Sequence, residues 1–226
     1  MRRPYRIAVL ASGRGSNLQA ILDAIAQGSL DAVVAGVFSD KADAPALAKG
    51  RESGAVTASL SPRAFASRAD YDESLFRLVD DVHPDLIVCA GYMRLVSERE
   101  VAARNGKMLN IHPSLLPAFK GLRTHQQALD AGVSWHGASV HFVSPELDGG
   151  PVIAQARVPV LPGDNADRLA QRVLEREHPL LLASLRLLAA GRIDLAGSQV
   201  RFDGRALHLP LQLDPDQRLV EQETTP

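Results

Sequence analysis

Apolar residues fall along this chain in short blocks whose period keeps changing. "RIAVLAS" (6–12), "AVVAGVFS" (32–39) and "AVTASL" (55–60) have strand length. "DLIVCA" (85–90) is continuous in apolar residues, as strands buried on both faces are. Between these runs the spacing becomes helical. Leu18, Ile21, Leu22 and Ile25 recur along one face until Gly28, and Tyr71, Leu75, Leu78, Val79 and Val82 mark a helix over 68–82 that Pro84 ends. Pro45 opens and Gly54 closes a shorter one. Ser97 with Glu100 forms a capping-box pattern, and Asn105–Gly106 turns the chain into the strand "KMLNI" (107–111). A short helix near 124–131, strands near 136–143 and 152–160, and a long helix near 165–190 follow.

Strands separated by helices of this length imply βαβ units. The expected fold is therefore α/β: a Rossmann-like, open, mostly parallel twisted sheet with helices on both faces. The last two strands are joined by too short a link for a crossover helix, so antiparallel pairing is expected near the C-terminal end. "QVRFDGRALHL" (199–209) carries the Asp-Gly mark of a hairpin, and the polar, aperiodic tail after about 212 is expected to be loosely held. With no repeat and no linker, residues 1–190 read as one α/β domain and 191–226 as an extension of it.

Composition narrows the partners. The chain has 226 residues, 46% hydrophobic, enough for one sizeable core. Lys+Arg number 25 against 26 Asp+Glu, which argues against nucleic acid or an anionic membrane but leaves room for a pocket taking one phosphate. Cys89, the one cysteine, makes no intrachain disulfide and suits a reducing compartment; its apolar neighbours point to a buried, inert thiol. No apolar run reaches membrane-spanning length, since "PLLLASLRLLAAG" is broken by Arg186. The opening "MRRPYRIAVLASGRG" stops being apolar before Arg14, too soon for a signal peptide, and reads as the first strand of a cytoplasmic protein.

Three clusters could carry chemistry, each after a strand, where ligands of such sheets sit. In "ASGRGSNLQAI" (11–21), Gly13, Gly15, Ser16 and Asn17 stand where helix-start N–H groups could take a phosphate; a tight turn with Ser16 as N-cap is the plainer reading. In "LNIHPSLLP" (109–117), Asn110 and His112 share one strand face, a pair suited to an oxyanion, or the histidine is satisfied by the loop behind it. In "SPELDGGPV" (144–152), Asp148 either belongs to a simple turn or faces His112 and favours its charged form. His136 and His141, five apart, face opposite ways on a regular strand; His83 and His178 each precede a proline and are expected to shape helix ends. The histidine and cysteine spacings do not suggest a metal site.

Together "LASGRGSNLQAI", "FSDKADAPAL", "AGYMRLVS", "LNIHPSLLPAFKG", "THQQALDAG", "GASVHFVSPELDGGPVIAQ" and "EREHPLL" resemble, in order, the folate-dependent phosphoribosylglycinamide formyltransferases of purine synthesis. The resemblance covers roughly residues 5–190. It implies a catalytic trio of Asn110, His112 and Asp148, a phosphate loop of Gly15, Ser16 and Asn17, and a substrate carboxylate at Glu177. It further implies contacts to 10-formyltetrahydrofolate, the co-substrate, from Arg68, Met93, Arg94, Leu95, Val96 and Asn110. The other substrate would be 5-phosphoribosylglycinamide, with no nucleic-acid or membrane partner, and monomer and homodimer both stay open. "LLPAFKGLRTH" departs from relatives that carry a lysine soon after the proline and a histidine where Arg123 stands, which bears on substrate affinity.

Methionyl-tRNA formyltransferase shares the N-I-H-P-S-L-L-P stretch but normally adds a tRNA-binding domain. Formyltetrahydrofolate hydrolase shares the trio but usually adds an N-terminal domain. A nicotinamide dehydrogenase would want the third glycine that Leu18 replaces. A nucleotide-binding module without activity would not need all three catalytic-type residues.

Overall fold

A computed structural model describes residues 3–222. The chain gathers into two compact units that meet in sequence at Asn110 and Ile111.

The first unit contains β1 (Tyr5–Leu10), α1 (Ser16–Ala26), β2 (Ala32–Ser39), α2 (Pro45–Glu52), β3 (Val56–Ser59), a 3-10 turn at Pro62–Ala64, α3 (Arg68–Asp81), β4 (Leu86–Cys89) and α4 (Glu98–Ala103). β5 (Met108–His112) begins in it and carries the chain into the second unit. β5 pairs with β4, β4 with β1, β1 with β2 and β2 with β3, each in parallel. β1 forms the middle of this sheet because Ile7, Ala8, Val9 and Leu10 are all fully buried. The chain leaves β1 on one side to build β2 and β3, then returns on the other to build β4. The order of strands therefore reverses at β1, and a reversal of that kind opens a crevice at the strands' carboxyl ends.

The second unit contains α5 (Thr124–Asp130), β6 (Trp135–Phe142), β7 (Val152–Pro159) and the long α6 (Ala166–Ala189), followed by β8 (Ile193–Ala196), β9 (Gln199–Phe202), β10 (Arg205–Ala206), β11 (Leu211–Leu213) and β12 (Leu219–Val220). β6 and β7 are antiparallel, as their short link requires. The Asp203–Gly204 hairpin joins β9 to β10, and β8 completes a small antiparallel sheet with them. Asp203 and Gly204 both have positive φ, 50° and 79°, the conformation such a two-residue turn demands.

Four expectations need correction. The tail is not loosely held from 212: β11 runs parallel to β7, and β12 returns antiparallel to β11. Leu211 and Leu213 are buried, and Arg176 donates to the carbonyls of Leu213 and Asp214. Three residues are too few to show a period in sequence. Residues 223–226, the last of that tail, lie outside the described residues. Ser16 is not an N-cap; Gly15 is, and no side chain caps α1. At α4, Ser97 is the N-cap without a side-chain bond, and Glu100 turns to Arg104 instead of back to Ser97. His178 does not shape a helix end, because Pro179 lies inside α6. Proline there forgoes the hydrogen bond to the Glu175 carbonyl, but the burial of Val173, Leu180, Leu181 and Leu185 carries the helix past it. His83, by contrast, does end α3, with φ 46° and its N–H on the Asp80 carbonyl.

Among the described residues no helix is long and apolar enough to cross a membrane. Cys89 is buried, and that burial pushes its thiol up to about 12, where it stays protonated and inert.

Candidate active site

β5 ends on His112, with Asn110 two residues before it on the same strand face. Asn110 is half-buried and His112 is 6% exposed. His112 Nδ1 lies 3.4 Å from Asp148 Oδ2, and its Nε2 donates to the Phe119 carbonyl at 3.0 Å. Both ring nitrogens thus face acceptor oxygens. The contact to Asp148 is long for a hydrogen bond.

Asp148 answers both readings of its motif. It is a turn residue, held at φ 46° between β6 and β7. Its carboxylate also faces inward at 9% side-chain exposure, where Oδ2 accepts from the Gly121 N–H at 2.9 Å and Oδ1 lies 3.8 Å from His141 Nε2. Gly150 makes this turn possible: a Cβ there would stand 1.9 Å from the Phe142 carbonyl oxygen. The segment behind His112 is pinned by a buried polar network. Ser139 Oγ donates to the Ser114 carbonyl and accepts from the Leu116 N–H, while Gln155 Nε2 donates to the Leu116 carbonyl and to Ser139 Oγ. Lys120 and Glu146, 2.7 Å apart, join this segment to the Asp148 turn at the surface.

Three more histidines surround the pair. His125 Nδ1 and His136 Nε2 are 3.1 Å apart, and His141 Nδ1 donates to the Phe142 carbonyl. Burial is the main force on each, lowering His125 and His141 and taking His136 to about 4, with repulsion from His112 adding to it. Burial thus favours the neutral form of all three rings.

In the first unit, Gly15 takes the left-handed conformation at the start of α1, φ 69° and ψ 43°. An added Cβ would also come within 2.8 Å of Ala46 Cβ, so only glycine lets α2 lie this close. Because no side chain caps α1, the leading N–H groups of Ser16 and Asn17 are left to the surroundings, where the helix dipole favours an anion. Gly13 and Ser16 are exposed; Asn17 is buried, with its Oδ1 meeting no hydrogen-bond partner among the described residues.

The loop after β4 lies beside this helix start. Ser12 N–H donates to the Gly91 carbonyl and Ser12 Oγ accepts from the Met93 N–H. Met93 and Leu95 are 69% and 48% exposed, an apolar surface fit for an aromatic ring system. Arg94 stacks its guanidinium 5.0 Å over the Tyr71 ring, and the Tyr71 and Tyr92 hydroxyls meet at 3.0 Å. Arg68, exposed at the start of α3, shares with Arg94 the charge of Asp72.

The structure therefore joins His112 to Asp148 in the second unit, and sets Gly15, Ser16 and Asn17 near Met93 through Ser12 in the first. Glu177 stands half-buried in the middle of α6. Sequence reasoning missed His141, Phe119, Ser12 and Asp72. Asp72 did carry a signal: it shares the helical stripe 72, 75, 76, 79 with three apolar residues, an odd place for a carboxylate.

Known proteins resemble this chain in sequence and in fold. The formyl transferase family profile matches residues 5–185. The chain is 47% identical over 201 residues to the phosphoribosylglycinamide formyltransferase of Escherichia coli, covering 89% of this chain and 95% of that one. It is 40% identical over 194 residues to the human trifunctional purine biosynthetic protein adenosine-3, covering 86% of this chain and 19% of that protein. Among solved structures, the phosphoribosylglycinamide formyltransferase of Coxiella burnetii superposes with a TM-score of 0.86 at 43% identity, over 90% of this chain and 96% of that one. The chain belongs to the formyl transferase family.

Proposed function

We propose that this chain moves the formyl group of 10-formyltetrahydrofolate onto the primary amine of 5-phosphoribosylglycinamide, a step of purine synthesis. The observation that carries the chemistry is the buried His112–Asp148 pair at the end of β5, with both imidazole nitrogens on acceptors. The amine nitrogen attacks the formyl carbon; a C–N bond forms and the carbonyl electrons move onto oxygen. Asn110 and the doubly protonated His112 donate to that oxygen, where developing charge makes each hydrogen bond worth most. As the intermediate collapses, the bond from carbon to N10 of the folate breaks, and N10 takes a proton. Asp148 holds His112 charged and oriented, and helps carry off the proton the amine loses.

Gly15, Ser16 and Asn17 hold the ribonucleotide's phosphate, and Glu177 contacts its glycinamide end. Binding at a group remote from the reacting amine is spent on orientation. Arg68, Met93, Arg94, Leu95, Val96 and Asn110 receive the folate, whose ring lies on the exposed apolar surface of Met93 and Leu95. The partners are these two small molecules, with no nucleic acid or membrane, the chain acting as a monomer or homodimer. A single thiol kept reduced suits the cytoplasm.

The test offers three acceptors with 10-formyltetrahydrofolate: 5-phosphoribosylglycinamide, water, and charged initiator tRNA. Formylated glycinamide ribonucleotide should dominate. Formate or formyl-aminoacyl-tRNA as the main product would overturn the reading.

A further inference from the structure

The loop from Tyr92 to Ser97, which the preceding reading gives to the folate, is fixed at three points. At its start Met93 N–H is held by Ser12 Oγ at 3.1 Å. At its middle Arg94 lies on the Tyr71 ring. At its end the Ser97 N–H donates to Asp72 Oδ2 at 2.7 Å. That last N–H is the one a capping-box glutamate would have taken; Glu100 is occupied with Arg104, and a residue from a different helix replaces it.

Asp72 is an unusual group to find there. It is 1% exposed, on the face of α3 that buries Leu75, Phe76 and Val79. Desolvation raises its carboxyl, opposed by the Ser97 hydrogen bonds and then by the charges of Arg68 and Arg94. Its Oδ1 and the Nε of Arg94 are both buried without a hydrogen-bond partner among the described residues, so Asp72 acts on Arg94 through charge and on Ser97 through a formed bond. A buried carboxylate costs stability unless what it organises returns it. What Asp72 organises is one loop.

We infer that Asp72 is a positioning residue for the formyl donor: by holding the Ser97 N–H and drawing in Arg94, it sets the loop 92–97 in the shape that receives the folate. Its effect belongs to donor binding and leaves the ribonucleotide and the His112 chemistry untouched. The inference rests on the reading of this loop as the folate contact.

Steady-state kinetics of the full chain, with donor and ribonucleotide varied in turn, tests it. Asp72→Ala should raise the donor KM by about tenfold or more, the worth of a hydrogen bond to a charged group. The ribonucleotide KM and kcat at saturating donor should stay within about threefold. Asp72→Asn, which keeps an oxygen for Ser97, should recover most of the loss. Ser97→Pro supplies a route that spares Asp72 should its alanine variant fold poorly. Ser97 has φ −63°, which proline adopts, and the substitution removes the N–H together with the hydroxyl, the two Ser97 groups that bond Asp72. It too should raise the donor KM alone. Met93→Asp controls for the underlying reading. If it leaves the donor KM unchanged, the loop does not receive folate and reading and inference fall together. If it raises the donor KM while Asp72→Ala or Ser97→Pro does not, the inference about Asp72 is overturned and the reading stands. Equal rises in both KM values would also overturn it, since a general loss of structure would then explain the effect.

Discussion

Asp148 makes the turn between β6 and β7 and, on the proposed reading, also serves the chemistry at His112. Its left-handed backbone makes the turn, and asparagine tolerates that conformation too. Asp148→Asn should therefore fold normally, yet lose about a hundredfold in kcat with ribonucleotide affinity nearly unchanged. An unaltered kcat would leave it a turn residue only. His136 makes a separate prediction about acid. Its folded-state value, pushed to about 4 by burial, lies below the unfolded ~6.5, so between these values the unfolded chain binds a proton that the folded chain refuses. Stability should fall as pH drops from about 6.5 to 4, and His136→Asn should flatten that fall in urea titrations. A slope identical to the parent's would show that burying this ring costs nothing. Single residues were the least legible part of the sequence. Asn110 and His112 stood out as polar groups in an apolar strand and Asp148 as the carboxylate leading a glycine turn, whereas Ser12 and Phe119 act through one hydroxyl and one backbone carbonyl that composition cannot reveal.

Elements were easier to read, since a period of two or 3.6 repeats over many residues. β2 matches its expected range, α2 begins at Pro45, α1, α2 and α3 end close to Gly28, Gly54 and Pro84, and α6 fills nearly its expected span. The failures share a cause: local signals were overridden by distant partners. Ser97 found Asp72 in place of Glu100, and Pro179 was accommodated because α6 buries residues on both sides of it. The start of α1 offers a direct check. Gly15→Ala combines a disfavoured φ with a 2.8 Å approach to Ala46, so it should lower the melting temperature and weaken phosphate binding together. Wild-type affinity for inorganic phosphate in this variant would detach the loop from the ribonucleotide.

For the molecule as a whole, the parallel pairing within the first unit and the antiparallel β6–β7 pair of the second were both implied by link lengths, whereas the order β5–β4–β1–β2–β3 was not. The division at Asn110 and Ile111 was not, because no composition change marks it. Nor was the contribution of β11 and β12, too short for periodicity and recognisable only by what they pair with. Removing residues 211–226 exposes one edge of β7 and frees Arg176 from two carbonyls, and it should lower thermal stability measurably. An unchanged melting temperature would mean these strands rest on the fold without supporting it. Formyl transfer by this chain would depend most on the imidazole at the end of β5. The most direct test is the single-turnover rate of formyl transfer with both substrates saturating, compared between the parent and His112→Ala. A fall of about two to three orders of magnitude with ribonucleotide binding retained is the predicted result; a rate equal to the parent's would contradict it.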